Sequence, residues 1–100
     1  MTRLLLTTLM LGSLALAGTA QAADIAAGKA RATSCGMCHG ANGEGKQMGP
    51  KLAGMDPAKF IQAMNDYKTG KKDNAMMKNA ATQLSADDTA NIAAYYASLK

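Results

Sequence analysis

From Leu4 to Ala17 the chain is largely apolar, and beyond that block apolar residues alternate with polar ones at helical spacing. Arg3 precedes the block and Ala20-Gln21-Ala22 follows it as a small-x-small triplet, which predicts an export leader, residues 1–22, cleaved after Ala22. The run is shorter than the roughly 20 residues a spanning helix needs, so no stable membrane insertion is expected after cleavage. In the remaining domain, residues 23–100, Ile25, Gly28 and Ala32 share one face and predict a helix from 24 to about 34 that delivers Cys35 at its end. Asp56-Pro57 reads as an N-cap followed by proline at the first helical position, and Phe60, Ile61, Met64 and Tyr67 form the apolar face of the helix that Gly70 ends. Ser85-Ala86-Asp87-Asp88 resembles a capping box, and Ile92, Tyr96 and Leu99 recur behind it at i, i+4 and i+7. Residues 40–54 are glycine-rich around Pro50 and predict a loop, and the stretch through Ala75-Met76-Met77 is expected to be irregular. No segment alternates as a strand does, so the expected fold class is all-α with long loops.

Gly28 in the middle of a helix costs about 1 kcal/mol relative to alanine, which means either a close helix crossing or a tolerated surface glycine. The crossing is the expectation here, with Tyr96 as its partner. A domain this short builds only a marginal apolar core, and aromatic residues make up 4% of the chain with tryptophan absent. A large flat cofactor inside the fold is consistent with that shortage. Without Arg3, eleven Lys and Arg become ten against seven Asp and Glu, a formal charge of +3. No cluster of basic and aromatic residues is present, and nucleic-acid binding is excluded on that ground.

Cys35-Gly36-Met37-Cys38-His39 is the C-x-x-C-H pattern of c-type haem attachment. Two thiols three positions apart reach both vinyl-derived carbons of one porphyrin edge, and the next residue offers an imidazole to the iron. A redox dithiol or a disulfide also uses C-x-x-C but requires no histidine. Cys35 and Cys38 are the only cysteines and His39 the only histidine, so a bis-histidine iron site and a zinc cluster both lack ligands. Candidates for the iron's sixth position are Met37, Met48, Met55, Met64, Met76 and Met77. Met37 lies within the attachment motif and Met64 on a core face. The pair Met76 and Met77 is remote from His39 in a polar stretch, and the spacing alone does not choose between them.

These features, together with Gly49-Pro50-Lys51-Leu52-Ala53-Gly54, Tyr67-Lys68-Thr69-Gly70-Lys71-Lys72, Leu84 to Asp88 and Ala93-Ala94-Tyr95-Tyr96, resemble a small bacterial class I cytochrome c. The similarity is to the monohaem periplasmic group whose halves also occur in dihaem cytochromes, and it covers residues 24–100. It implies one haem c bound through Cys35 and Cys38, with His39 and Met77 as axial ligands and Met76 as the alternative. It further implies that the Pro50 carbonyl accepts a hydrogen bond from His39, and that Leu52 and Tyr67 line the haem pocket. The function implied is periplasmic electron transfer by an Fe(II)/Fe(III) couple, without enzymatic activity of the chain itself. The alternatives are a haem subunit of a complex such as a flavocytochrome c sulfide dehydrogenase, whose partner is a flavoprotein, and a gas-binding or catalytic haem with an open sixth site. Lys68, Lys71, Lys72 and Lys78 either form a solvated face or steer an acidic redox partner.

Overall fold

The structure, a computed structural model, describes residues 22–100, so the predicted leader lies outside it apart from Ala22. Helix α1 (Ile25–Arg31) opens at Asp24, whose carboxylate accepts the Ala27 N–H at 3.0 Å. The predicted helix to about residue 34 is α1 continued by a tighter 3-10 turn, Ala32–Ser34, and the short α2 (Gly36–His39) then carries the attachment motif. After the glycine-rich loop come α3 (Pro57–Thr69), α4 (Ala75–Thr82) and α5 (Ala86–Ser98). Among the described residues there is no strand beyond an isolated bridge between Lys46 and Gly49.

The predicted caps form. Asp56 accepts the Lys59 N–H at 3.1 Å at the start of α3, and Gly70 ends that helix in the left-handed region at φ 81°. Ser85 and Asp88 satisfy each other's backbone N–H groups at 3.0 and 3.1 Å. Ser85→Ala is therefore expected to lower stability by about 1 kcal/mol in thermal melts, the usual worth of an N-cap. Asp88 is held below the ordinary carboxylate value, first by accepting the Ser85 N–H and then by Arg31, which lies at 3.4 Å. A depressed carboxylate stabilises the fold above its unfolded value, near 3.8, and loses that contribution as pH falls through the lower folded one. The melting gap between wild type and Asp88→Asn should accordingly be present at pH 6 and shrink below about pH 3.8.

Two expectations are corrected. Met76 and Met77 lie not in an irregular segment but in the first turn of α4, which Asn74 caps by accepting the Met77 N–H at 3.0 Å. With only 8 residues the helix is too short for its apolar face, Met77 with Ala81, to show a period that separates it from a loop. The close crossing at Gly28 exists, but its partner is the backbone of α5 at Asn91 and Ile92, not Tyr96. A Cβ on Gly28 would collide with the Asn91 carbonyl and stand 3.0 Å from the Ile92 nitrogen. Tyr96 lies a turn further along α5, with its ring over Gly43, where a Cβ would come within 2.6 Å of the ring.

Ile92 and Tyr96 are the largest fully enclosed side chains, with Phe60, Met64, Ala81 and Ala93 around them. The rings of Phe60 and Tyr95 lie 6.0 and 5.2 Å from that of Tyr96. This core joins α3 and α5, while α1 is clamped across α5. The attachment helix is thereby held facing α3 and α4 with a cleft between them.

Candidate functional site

The cleft has a volume of about 520 Å³ and brings together Cys35, Cys38, His39, Pro50, Leu52, Tyr67, Met76 and Met77. Every residue expected at the site from the sequence is on its wall. A second hollow of about 350 Å³ contains Met37 with Lys29, Lys46 and Tyr95. It holds neither cysteine, and Met37 is directed away from the other candidate ligands.

His39 is buried, and its Nδ1 lies 2.7 Å from the Pro50 carbonyl oxygen. A carbonyl only accepts, so Nδ1 carries the proton and donates. The lone pair is left on Nε2, the nitrogen of the ring that is free to bind a metal. Gly49 makes this possible in a way the sequence reading missed. A Cβ there would stand 2.7 Å from the His39 ring and 3.0 Å from the Cys38 carbonyl, so the loop closes on the imidazole only where residue 49 lacks a side chain. The signal was the Gly-Pro pair itself, read as part of a loop, with no role given to Gly49 as a seat for the ring.

Cys35 and Cys38 are free thiols, each half-buried. Burial pushes the Cys35 thiol up, against smaller opposing effects of hydrogen bonding to Ser34 and Tyr96. A redox dithiol needs the reverse, a cysteine held low in an exposed electropositive setting. Tyr96 packs behind Cys35, and its phenol is pushed up chiefly by burial and then by Cys35, so it remains protonated.

Across the cleft, Met77 is half-buried and packs on the core while Met76 is 64% exposed. Phe60, which the sequence did not assign to the site, completes the apolar wall with Met55 and Met64, two of the methionines weighed for the sixth position. Arg31 and Lys72 are the charged side chains on the lining, which contains no carboxylate. Arg31 is also a clasp, donating toward the Gln83 carbonyl at 3.3 Å and Asp88 at 3.4 Å.

A porphyrin fits this set of residues. The volume lies within the 300–1,000 Å³ typical of cofactor sites. The walls are apolar, two thiols share one side, an imidazole has its tautomer fixed for ligation, and a thioether faces it from another helix. The two cations suit the acidic groups of a haem.

The comparisons with known proteins agree. A family model described as cytochrome c matches residues 25–100. The chain is 47% identical over 98 residues to cytochrome c4 of Pseudomonas aeruginosa, covering 96% of this chain and 48% of that one. It is 37% identical over 92 residues to cytochrome c-553 of Helicobacter pylori, covering 90% and 93%. The structure of cytochrome c4 from Acidithiobacillus ferrooxidans superposes with a TM-score of 0.74 at 27% identity, over 82% of this chain and 53% of the other. The chain thus spans about half the length of both cytochromes c4.

Proposed function

Because the chain belongs to the cytochrome c family, which implies one haem c held covalently through Cys35 and Cys38, we propose that it is a periplasmic carrier of single electrons with His39 and Met77 as axial ligands. The observation that carries this reading is the His39 ring, fixed by the Pro50 carbonyl in a cleft that also contains both thiols and Met77. When bound, the haem supplies a one-electron Fe(II)/Fe(III) couple of raised potential, as histidine with methionine provides.

The protein's own part is to hold ligands still and keep water out. The Pro50 hydrogen bond orients the imidazole and strengthens it as a donor. Met77 offers a soft sulfur, which favours the reduced metal. Phe60, Met64 and Leu52 are buried against the same cleft and exclude water from it. With His39 and Met77 both given to the iron, the bound haem would keep no open site for substrate chemistry.

Electrons must leave through the mouth of the cleft, where Met48 and Met76 are 70% and 64% exposed. Lys71, Lys72 and Lys78 are exposed on α4 and the turn before it. Lys68 is not available in the same way, since its ammonium donates to the Leu84 carbonyl at 2.7 Å. An apolar centre beside Lys71 and Lys78, with Lys72 turned over the Tyr67 ring at 5.7 Å, favours a partner with an acidic rim. Export is supported by the leader read at residues 1–22, and among the described residues no helix is long and apolar enough to cross a membrane.

Protein from a host competent for cytochrome maturation is expected, by mass spectrometry, to be the chain from residue 23 plus one haem, with both thiols blocked to alkylation. A haem-free chain with a Cys35–Cys38 disulfide overturns the reading. Tight co-purification with a flavoprotein replaces the free carrier by an enzyme subunit, and carbon monoxide binding to the ferrous protein at neutral pH replaces it by an open haem site.

A further inference from the structure

Helix α4 presents two adjacent thioethers to the cleft, and nothing in their chemistry distinguishes them. We propose that Asn74 selects Met77 over Met76 by locking the first turn of α4, an inference that rests on the reading of Met77 as axial ligand.

Asn74 is extended (φ −158°, ψ 110°), and its Oδ1 accepts the backbone N–H of Met77 itself at 3.0 Å, while its carbonyl accepts the Lys78 N–H at 2.8 Å. The residue that bears the ligand is thus tied at its own amide, one of the N–H groups that a helix start leaves without an intrahelical partner. The tie matters because α4 has only 8 residues, too few to hold its ends by helix propensity. It also matters because the chain before it, Gly70 to Asp73, has no regular structure. Neighbouring residues of a helix point about 100° apart, so with the cap in place Met77 meets the core side of the cleft and Met76 its mouth. Exchanging them requires α4 to rotate or its first turn to unwind, and the cap opposes both. Asn74 is therefore a positioning residue, lining the same cleft as the ligand it orients.

The test uses the haem-loaded protein as it is matured in the host. The rate at which imidazole binds the ferric form reports departure of the methionine, and the far-red methionine–iron charge-transfer band reports its presence. Asn74→Ala is expected to raise the imidazole rate about fivefold, the factor that a typical lost N-cap represents. Asn74→Asp, which keeps an acceptor oxygen, should stay within about twofold of wild type. Ser85→Ala removes a cap of similar worth from α5, away from the ligand turn, and should leave the rate unchanged; an equal rise there would mean general loosening and overturn the proposal. Selection itself is read from the double variants. Met77→Ala should lack the band with Asn74 present and regain part of it with Asn74→Ala, as Met76 swings in. If Asn74→Ala leaves the rate within twofold while Met77→Ala abolishes the band, the selection by Asn74 falls and the axial assignment stands. If Met77→Ala retains the band in full, the axial assignment itself falls.

Discussion

Met77→Ala should abolish the methionine–iron charge-transfer band, lower the reduction potential and open the ferrous iron to carbon monoxide, whereas Met76→Ala should leave all three nearly unchanged. The contrast follows from position. Met77 packs against the core and Met76 is 64% exposed, although the two are adjacent in one helical turn. Loss of the thioether would leave His39 as the chain's sole ligand to the metal, because no second histidine exists, both cysteines are committed to attachment and the cap at Asn74 keeps Met76 at the mouth of the cleft. The drop in potential should be a clear fraction of the roughly 0.8 V over which axial ligands tune haem. Visible spectra, potentiometry and carbon monoxide titration of the two variants decide the matter. An open-site spectrum from Met76→Ala alone shifts the ligand by one residue. No change from either single variant or from the double places it outside α4.

Gly28→Val should be the most damaging substitution away from the haem, costing about 3 kcal/mol or more by overpacking a crossing that has no room. The obstacle is backbone, not a side chain able to swing aside. A Cβ at position 28 meets the Asn91 carbonyl and lies 3.0 Å from the Ile92 nitrogen, so α1 and α5 must separate along their length. Asp24 adds a second tie across the same pair, its N–H reaching Asn91 Oδ1 at 2.8 Å, and that bond should be lost with the crossing. For a domain of this size 3 kcal/mol corresponds to a melting temperature lower by roughly 12–24 °C. Gly28→Ala should already destabilise the protein, since the first carbon suffices for the clash. A Gly28→Val protein that melts within a few degrees of wild type places the crossing elsewhere.

Much of the site was legible in the chain because it is written in local spacing. Cys35, Cys38 and His39 are contiguous, so their chemistry is set before any folding, and the caps at Asp56 and Ser85 work through bonds to residues three positions on. The Pro50 carbonyl beside His39 was expected from the family resemblance and stands at 2.7 Å in the structure. Nothing in the residues around Pro50 alone would have assigned that role, since a backbone carbonyl leaves no mark on sequence. Leu52 and Tyr67 likewise reach the cleft as the resemblance implied.

The amino-acid sequence by itself determined the attachment motif, the all-α character and the short supply of axial ligands, because each depends on residue identity and near neighbours. Tertiary structure alone decided which surfaces meet. Periodicity placed Ile92 and Tyr96 on one face of α5 but not the height at which α1 crosses it, so the partner of Gly28 moved one turn from Tyr96 to Asn91 and Ile92. Tertiary structure also formed α4, whose 8 residues are too few for the spacing of Met77 and Ala81 to mark a helix in the chain. It also made Gly49 the seat of the His39 ring and Gly43 that of the Tyr96 ring. Such contacts are set by close approach of segments distant in the chain, and the distance of that approach is a property of the packed molecule, not of any stretch of residues.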